Sequence, residues 1–136
     1  MFECCSDYDL QQLIDNNQNV LCVTIDKRIK GKDNLISFIS HAVSSPYIND
    51  NWDGLYDALL DLSWLPKINI FLIHKDFPDI SYTDLRIYLS LLKAIDKNWQ
   101  ATILMEGYDS IGCIGLSIYF PLWTRSIIET LSQVNS

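Results

Sequence analysis

Positive charge is scarce in this chain. Ten Lys and Arg stand against seventeen Asp and Glu, giving a formal charge of -7 and a pI near 4.5. Recognition of a phosphate backbone rests mainly on clustered Lys and Arg, so this balance opposes nucleic-acid binding and favours a basic protein partner. Histidine is scarcer, at His41 and His74, and the four cysteines (Cys4, Cys5, Cys22 and Cys113) contain no C-x-x-C spacing, so zinc-site templates fail. The cysteines read as reduced packing residues. Glycine-rich phosphate loops of the GxxxxGK[ST] or GxGxxG type are missing. No apolar run approaches the ~18–20 residues of a membrane span. The opening MFECCSDYDL lacks the basic and apolar regions of a secretory signal. These absences lead us to expect a cytoplasmic protein without cofactor, metal or membrane.

What is present suits one globular domain. The 136 residues are 49% hydrophobic and 20% charged, enough to build a core without covalent staples. Val20–Ile25 and Ile68–Ile73 are β-branched apolar runs that read as strands buried on both faces, and Cys113–Phe120 holds a third. Helical patterns occupy 34–43, with Asp33 as N-cap, then 52–64, 82–97 and 122–134. A short helix is expected near Leu10–Ile14, and Ala101–Met105 is open between strand and helix. Gly107–Gly112 reads as loop. Strands alternating with helices argue for α/β units around a small, mostly parallel sheet.

The segment from Pro46 to Leu62 carries the chemistry. With Asp53 placed at 0° and about 100° per residue, Asp57 falls near 40°, Asp50 near 60° and Asp61 near 80°. Gly54 lies beside them, Tyr56 sits at the edge, and Leu55, Leu59, Leu62 and Trp52 occupy the opposite arc. No Lys or Arg occurs between Lys32 and Lys67, so nothing local neutralises the acids. Like charges at i,i+4 cost roughly 0.2–0.5 kcal/mol per pair, and only acids near the N-terminus recover some of this from the helix dipole. The face reads either as a solvated surface with Asp50 or Asn49 as N-cap, or as a negative surface held for a basic partner. Asn49-x-Asn51-x-Asp53-Gly54 looks like the front of an EF-hand loop, but its twelfth position is Leu60 rather than Glu. An Asp53–Asp57 acid–base pair lacks an apolar pocket to separate the two pKa values.

Taken in order, the Val20 strand, the loop Ile29-Lys30-Gly31-Lys32, the following helix and P-x-x-x-x-N-W-D-x-L-x-D-x-L resemble the barstar family, intracellular inhibitors of the ribonuclease barnase. The similarity is clearest over 20–65 and extends to 120. It leaves 1–19 as an N-terminal extension and 121–136 as a C-terminal helix of one domain. The resemblance implies a three-stranded parallel sheet flanked by helices. It also implies an inhibitor, not an enzyme, that plugs a basic ribonuclease. No apolar stripe is left over that demands a second copy, so a monomer is expected when free. By position, Asp57 matches the acid that occupies the nuclease phosphate site, Asp53 a second interface acid, Tyr47 a loop aromatic, and Tyr56 a position where the family has tryptophan. Tyr56 and the pair Ile48-Asn49, which replaces an aromatic-glycine pair, change the contact surface and leave the acids intact. Tyr47, Asp50, Asp53, Gly54, Tyr56, Asp57 and Asp61 are therefore the candidate partner-binding residues. The alternatives are an interaction module or regulatory subunit for another basic protein, and an acid-dependent hydrolase.

Overall fold

The computed structural model describes residues 1–16, 19–47, 50–106 and 115–133. The chain runs β1 (Phe2–Cys5), α1 (Asp7–Asp15), β2 (Val20–Ile25), α2 (Lys32–Ala42), α3 (Trp52–Asp61), β3 (Asn69–His74), α4 (Tyr82–Glu106), β4 (Gly115–Pro121), a 3-10 turn (Leu122–Thr124) and α5 (Arg125–Gln133). The strands form one parallel sheet in the order β1-β4-β3-β2. Parallel strands need crossover connections, and helices supply each one here.

The sheet has four strands where three were expected. The addition is β1, which pairs with β4 in the register Phe2↔Ile118 to Cys5↔Pro121. Four residues including Glu3 carry no readable strand pattern of their own. Their order comes from β4 and from Phe2, whose ring stacks on Phe120 at 5.5 Å between centroids.

Alternation along the strands sorts side chains to two faces. Val23, Ile25, Ile70, Leu72, Leu116, Ile118 and Phe120 join residues of α2, α3, α4 and α5 in the main core. Cys22, Phe71, Ile73 and Tyr119 turn to the other face, where Leu10, Leu13 and Ile14 of α1 cover them. At the end of β3, buried His74 stacks on Phe120 at 3.8 Å and 9°. Its Nδ1 lies 2.9 Å from the Tyr119 carbonyl and its Nε2 2.6 Å from the Tyr88 hydroxyl. A carbonyl only accepts, so Nδ1 carries the hydrogen and Nε2 accepts from Tyr88. Burial holds the imidazole pKa down at about 3, so the ring is neutral.

Several helix ends differ from the sequence expectations for tertiary reasons. Gly31, not Asp33, caps α2: its φ of 86° suits glycine, and its amide donates to the Asp79 carbonyl at 2.9 Å. Helix α3 ends at Asp61 rather than Trp64, because Leu62 turns left-handed at φ 46°. Burial of the Leu62 side chain holds it in a conformation that usually favours glycine. Ala101–Met105 proves helical, as the end of α4, and the last segment opens with a 3-10 turn. The loop expected at Gly107–Gly112 lies outside the described residues. Among the described residues, no helix is long and apolar enough to cross a membrane.

Candidate functional site

Helix α3 is held at both ends. Asn51 is its N-cap, in extended conformation, and its Oδ1 accepts from the Gly54 amide at 2.7 Å. At the other end, the Trp99 indole Nε1–H of α4 donates to the Leu59 carbonyl at 2.8 Å, satisfying one of the orphan acceptors of a helix C-terminus. Leu55, Ala58 and Leu59 are buried below.

This seating leaves Asp53, Asp57 and Asp61 exposed along the outer face. Asp53 lies in the first turn, where the helix dipole favours it, and no basic residue occupies the last turn. Asp50 does not share this arc. It precedes the N-cap and is exposed there, with its Oδ1 accepting from Asn51 Nδ2 at 3.3 Å. The N-cap is thus neither Asp50 nor Asn49. The helical course of Trp52–Asp61 also leaves no calcium-binding loop of the EF-hand kind after Gly54.

Two grooves flank α3 and divide the candidate residues between them. One, of about 400 Å³, is lined by Tyr47, Gly54, Asp57, Ala58 and Asp61. The absence of a side chain at Gly54 leaves room beside Asp57. Tyr47 stands 62% exposed, yet it is not loose: its ring meets the edge of Trp64 at 6.1 Å and 81°. Trp64 in turn donates from Nε1 to the Val43 carbonyl at 2.8 Å. The other groove, of about 430 Å³, is lined by Trp52, Asp53 and Tyr56 of α3 and by Ile87, Ser90 and Leu91 of α4. Trp52 was expected on the core side of α3, opposite the acids. It is half-buried, packed on Tyr88 at 6.0 Å, and forms a wall of this groove.

The structure thus brings Tyr47, Gly54, Asp57 and Asp61 together, sets Asp53 and Tyr56 across the ridge, and leaves Asp50 apart. Sequence reading missed Trp64 as the support of Tyr47 and the α4 wall. The helical pattern of Ile87 and Leu91 was the available signal.

The architecture is a parallel α/β sheet with a surface helix whose exposed side carries Asp53, Asp57 and Asp61. The family model described as Barstar (barnase inhibitor) matches residues 20–106, from β2 to the end of α4. The chain belongs to the barstar family, a family of ribonuclease inhibitors rather than catalysts. No significant match was found among curated proteins or among solved structures.

Proposed function

We propose that this protein is an immunity-type inhibitor that occludes the basic active site of a ribonuclease with α3 and the Tyr47 loop. The observation that carries this reading is the groove in which Tyr47, Asp57 and Asp61 meet over Gly54, on a helix within a stretch, 33–66, that contains no Lys or Arg. An enzyme that cleaves RNA presents a positive cleft to phosphate, and a row of carboxylates on a rigid helix presents the same charge. Asp57, midway along α3 and beside the space left by Gly54, takes the phosphate-like position. Asp53 adds a second contact across the ridge, and Tyr47 closes the groove from the loop side. Because caps and packing already seat the helix, little ordering entropy remains to be lost on binding.

The test is an activity titration of secreted and toxin ribonucleases of the barnase type, with a fluorogenic RNA substrate. The wild type is expected to abolish activity at one equivalent, and Asp53→Ala/Asp57→Ala to leave it intact. Equal suppression by both proteins, or by neither, contradicts the reading. Capture of the same non-nuclease protein from lysate by both would assign the fold to another interaction.

A further inference from the structure

Asp53 is followed by Gly54, the single Asp-Gly pair in the chain, and Asn-Gly does not occur. The pair has a reactivity of its own. Glycine carries no side chain to crowd its amide nitrogen, which can attack the carboxyl carbon of the preceding aspartate. The nitrogen gives up its proton and the carboxylic acid its hydroxyl, and the two leave as water while a five-membered succinimide closes. Water then opens the ring at either carbonyl. One product is aspartate again. The other is isoaspartate, in which the main chain runs through Cβ and the former backbone carbonyl becomes a branching carboxylate.

In the folded protein two restraints oppose ring closure. The Gly54 amide donates to Asn51 Oδ1 at 2.7 Å. A nitrogen stripped of its proton would face that oxygen lone pair to lone pair, because an amide oxygen only accepts. Asp53 and Gly54 also lie in the first turn of α3, where the Leu55 amide donates to the Asn51 carbonyl at 3.2 Å. Ring closure requires the Asp53 backbone to leave its helical conformation. Both restraints end on one residue, since the Asn51 side chain holds the first and its carbonyl the second. Asp53 is exposed, so the water that opens the ring has access to it.

We infer that Asp53-Gly54 is a self-modification site gated by the Asn51 cap: opening of the first turn of α3 admits succinimide formation, and the isoaspartate that follows prevents the turn from re-forming. The extra main-chain atom displaces Gly54 and Leu55 relative to Asn51, so their two bonds to it cannot both return in register. Fraying, otherwise reversible, becomes a permanent loss of the helix start. Asp57 and Asp61 precede Ala58 and Leu62, whose side chains crowd the nitrogen, and this confines the reaction on α3 to Asp53. The gate operates whatever α3 binds.

The test follows isoaspartate at residue 53 in the intact protein kept at neutral pH over weeks, by peptide mapping with fragmentation that distinguishes the two backbones. Loss of such a cap raises the open fraction of the first turn, so Asn51→Ala is expected to convert about fivefold faster than wild type. Asn51→Asp keeps an acceptor for the Gly54 amide and should stay near the wild-type rate. The wild-type chain unfolded in guanidinium chloride should convert fastest of all. Ile73→Val weakens the fold from beneath α1, on the opposite face of the sheet, with the cap intact, and should convert like wild type. Conversion of Asn51→Ala at the wild-type rate, or its failure to convert while the unfolded chain does, overturns the assignment. So does Ile73→Val converting as fast as Asn51→Ala, which would make global unfolding the gate, or folded wild type converting as fast as the unfolded chain.

Discussion

Single side chains on α3 differ in what they can contribute. Asp57 stands midway along the helix beside Gly54, so a partner over the groove removes it from water, whereas Asp61 lies at the helix end. A desolvated carboxylate bonded to a cation is worth about 1.5–3 kcal/mol, so Asp57→Ala is expected to weaken ribonuclease binding roughly 10- to 150-fold, mainly through faster dissociation. Asp61→Ala should chiefly slow association and flatten its dependence on salt. Stopped-flow association and dissociation rates at two ionic strengths separate the two effects, and equal small losses for both variants contradict the ranking. The acids of α3 were legible in the sequence because helical spacing alone puts Asp53, Asp57 and Asp61 on one arc. Their division between two grooves was not. Tyr47 reaches its groove through Trp64 and Val43, and the second groove is completed by α4, so both depend on contacts between segments distant in sequence.

At the scale of the element, the proposed role of α3 requires it to be rigid before it meets a partner. Its N-terminal donors depend on Asn51, and Asn51→Ala is expected to cost about 1 kcal/mol of unfolding free energy, with Asn51→Asp close to wild type. Urea denaturation measures both. Because the helix would fray locally, inhibition by Asn51→Ala should weaken as well. A loss of stability with wild-type inhibition would show that the cap supports the fold but not the recognition face. Strands β2, β3 and β4 were legible from apolar runs, since strands buried on both faces need no alternation. The helix ends were not, because they answer to partners elsewhere: Gly31 to the Asp79 carbonyl, Leu62 to the core that swallows its side chain. The edge strand β1 was hidden for the same reason, being a strand only beside β4.

Over the whole molecule, buried polar groups set how stability answers to pH. His74 ties β3 to β4 and α4 as a neutral ring, donating to Tyr119 and accepting from Tyr88. Its pKa falls from the ordinary 6.5 to about 3 through burial. The unfolded chain therefore binds a proton near pH 6.5 that the folded chain refuses. His74 contributes its stability in full above pH 6.5 and loses it as pH falls toward 3, at about 1.4 kcal/mol per pH unit. Asp26, held below its usual 3.8 by hydrogen bonds and charge from Arg28, loses its contribution only below that pH. Denaturation at pH 7, 6, 5 and 4 should thus show a decline already between pH 6 and 5. Removing both side-chain partners, in His74→Phe/Tyr88→Phe, should flatten that part of the curve. An unchanged slope in the double variant would place the titrating group elsewhere.

The net charge of -7 belongs to the same scale: in the proposed function it draws a basic partner toward the molecule, and α3 sets where the partner stops. Whether it stops over the ribonuclease active site is the central claim, and competition measures it most directly. Binding of this protein to a barnase-type ribonuclease would be followed by calorimetry at rising concentrations of a nucleotide 3′-phosphate that occupies the catalytic cleft. Occlusion predicts that the apparent Kd rises in proportion to nucleotide concentration once the cleft is saturated, and that Asp57→Ala loses most of the affinity the nucleotide can compete for. An affinity independent of nucleotide, with a ternary complex in solution, would place this protein on another face of the enzyme and contradict the account.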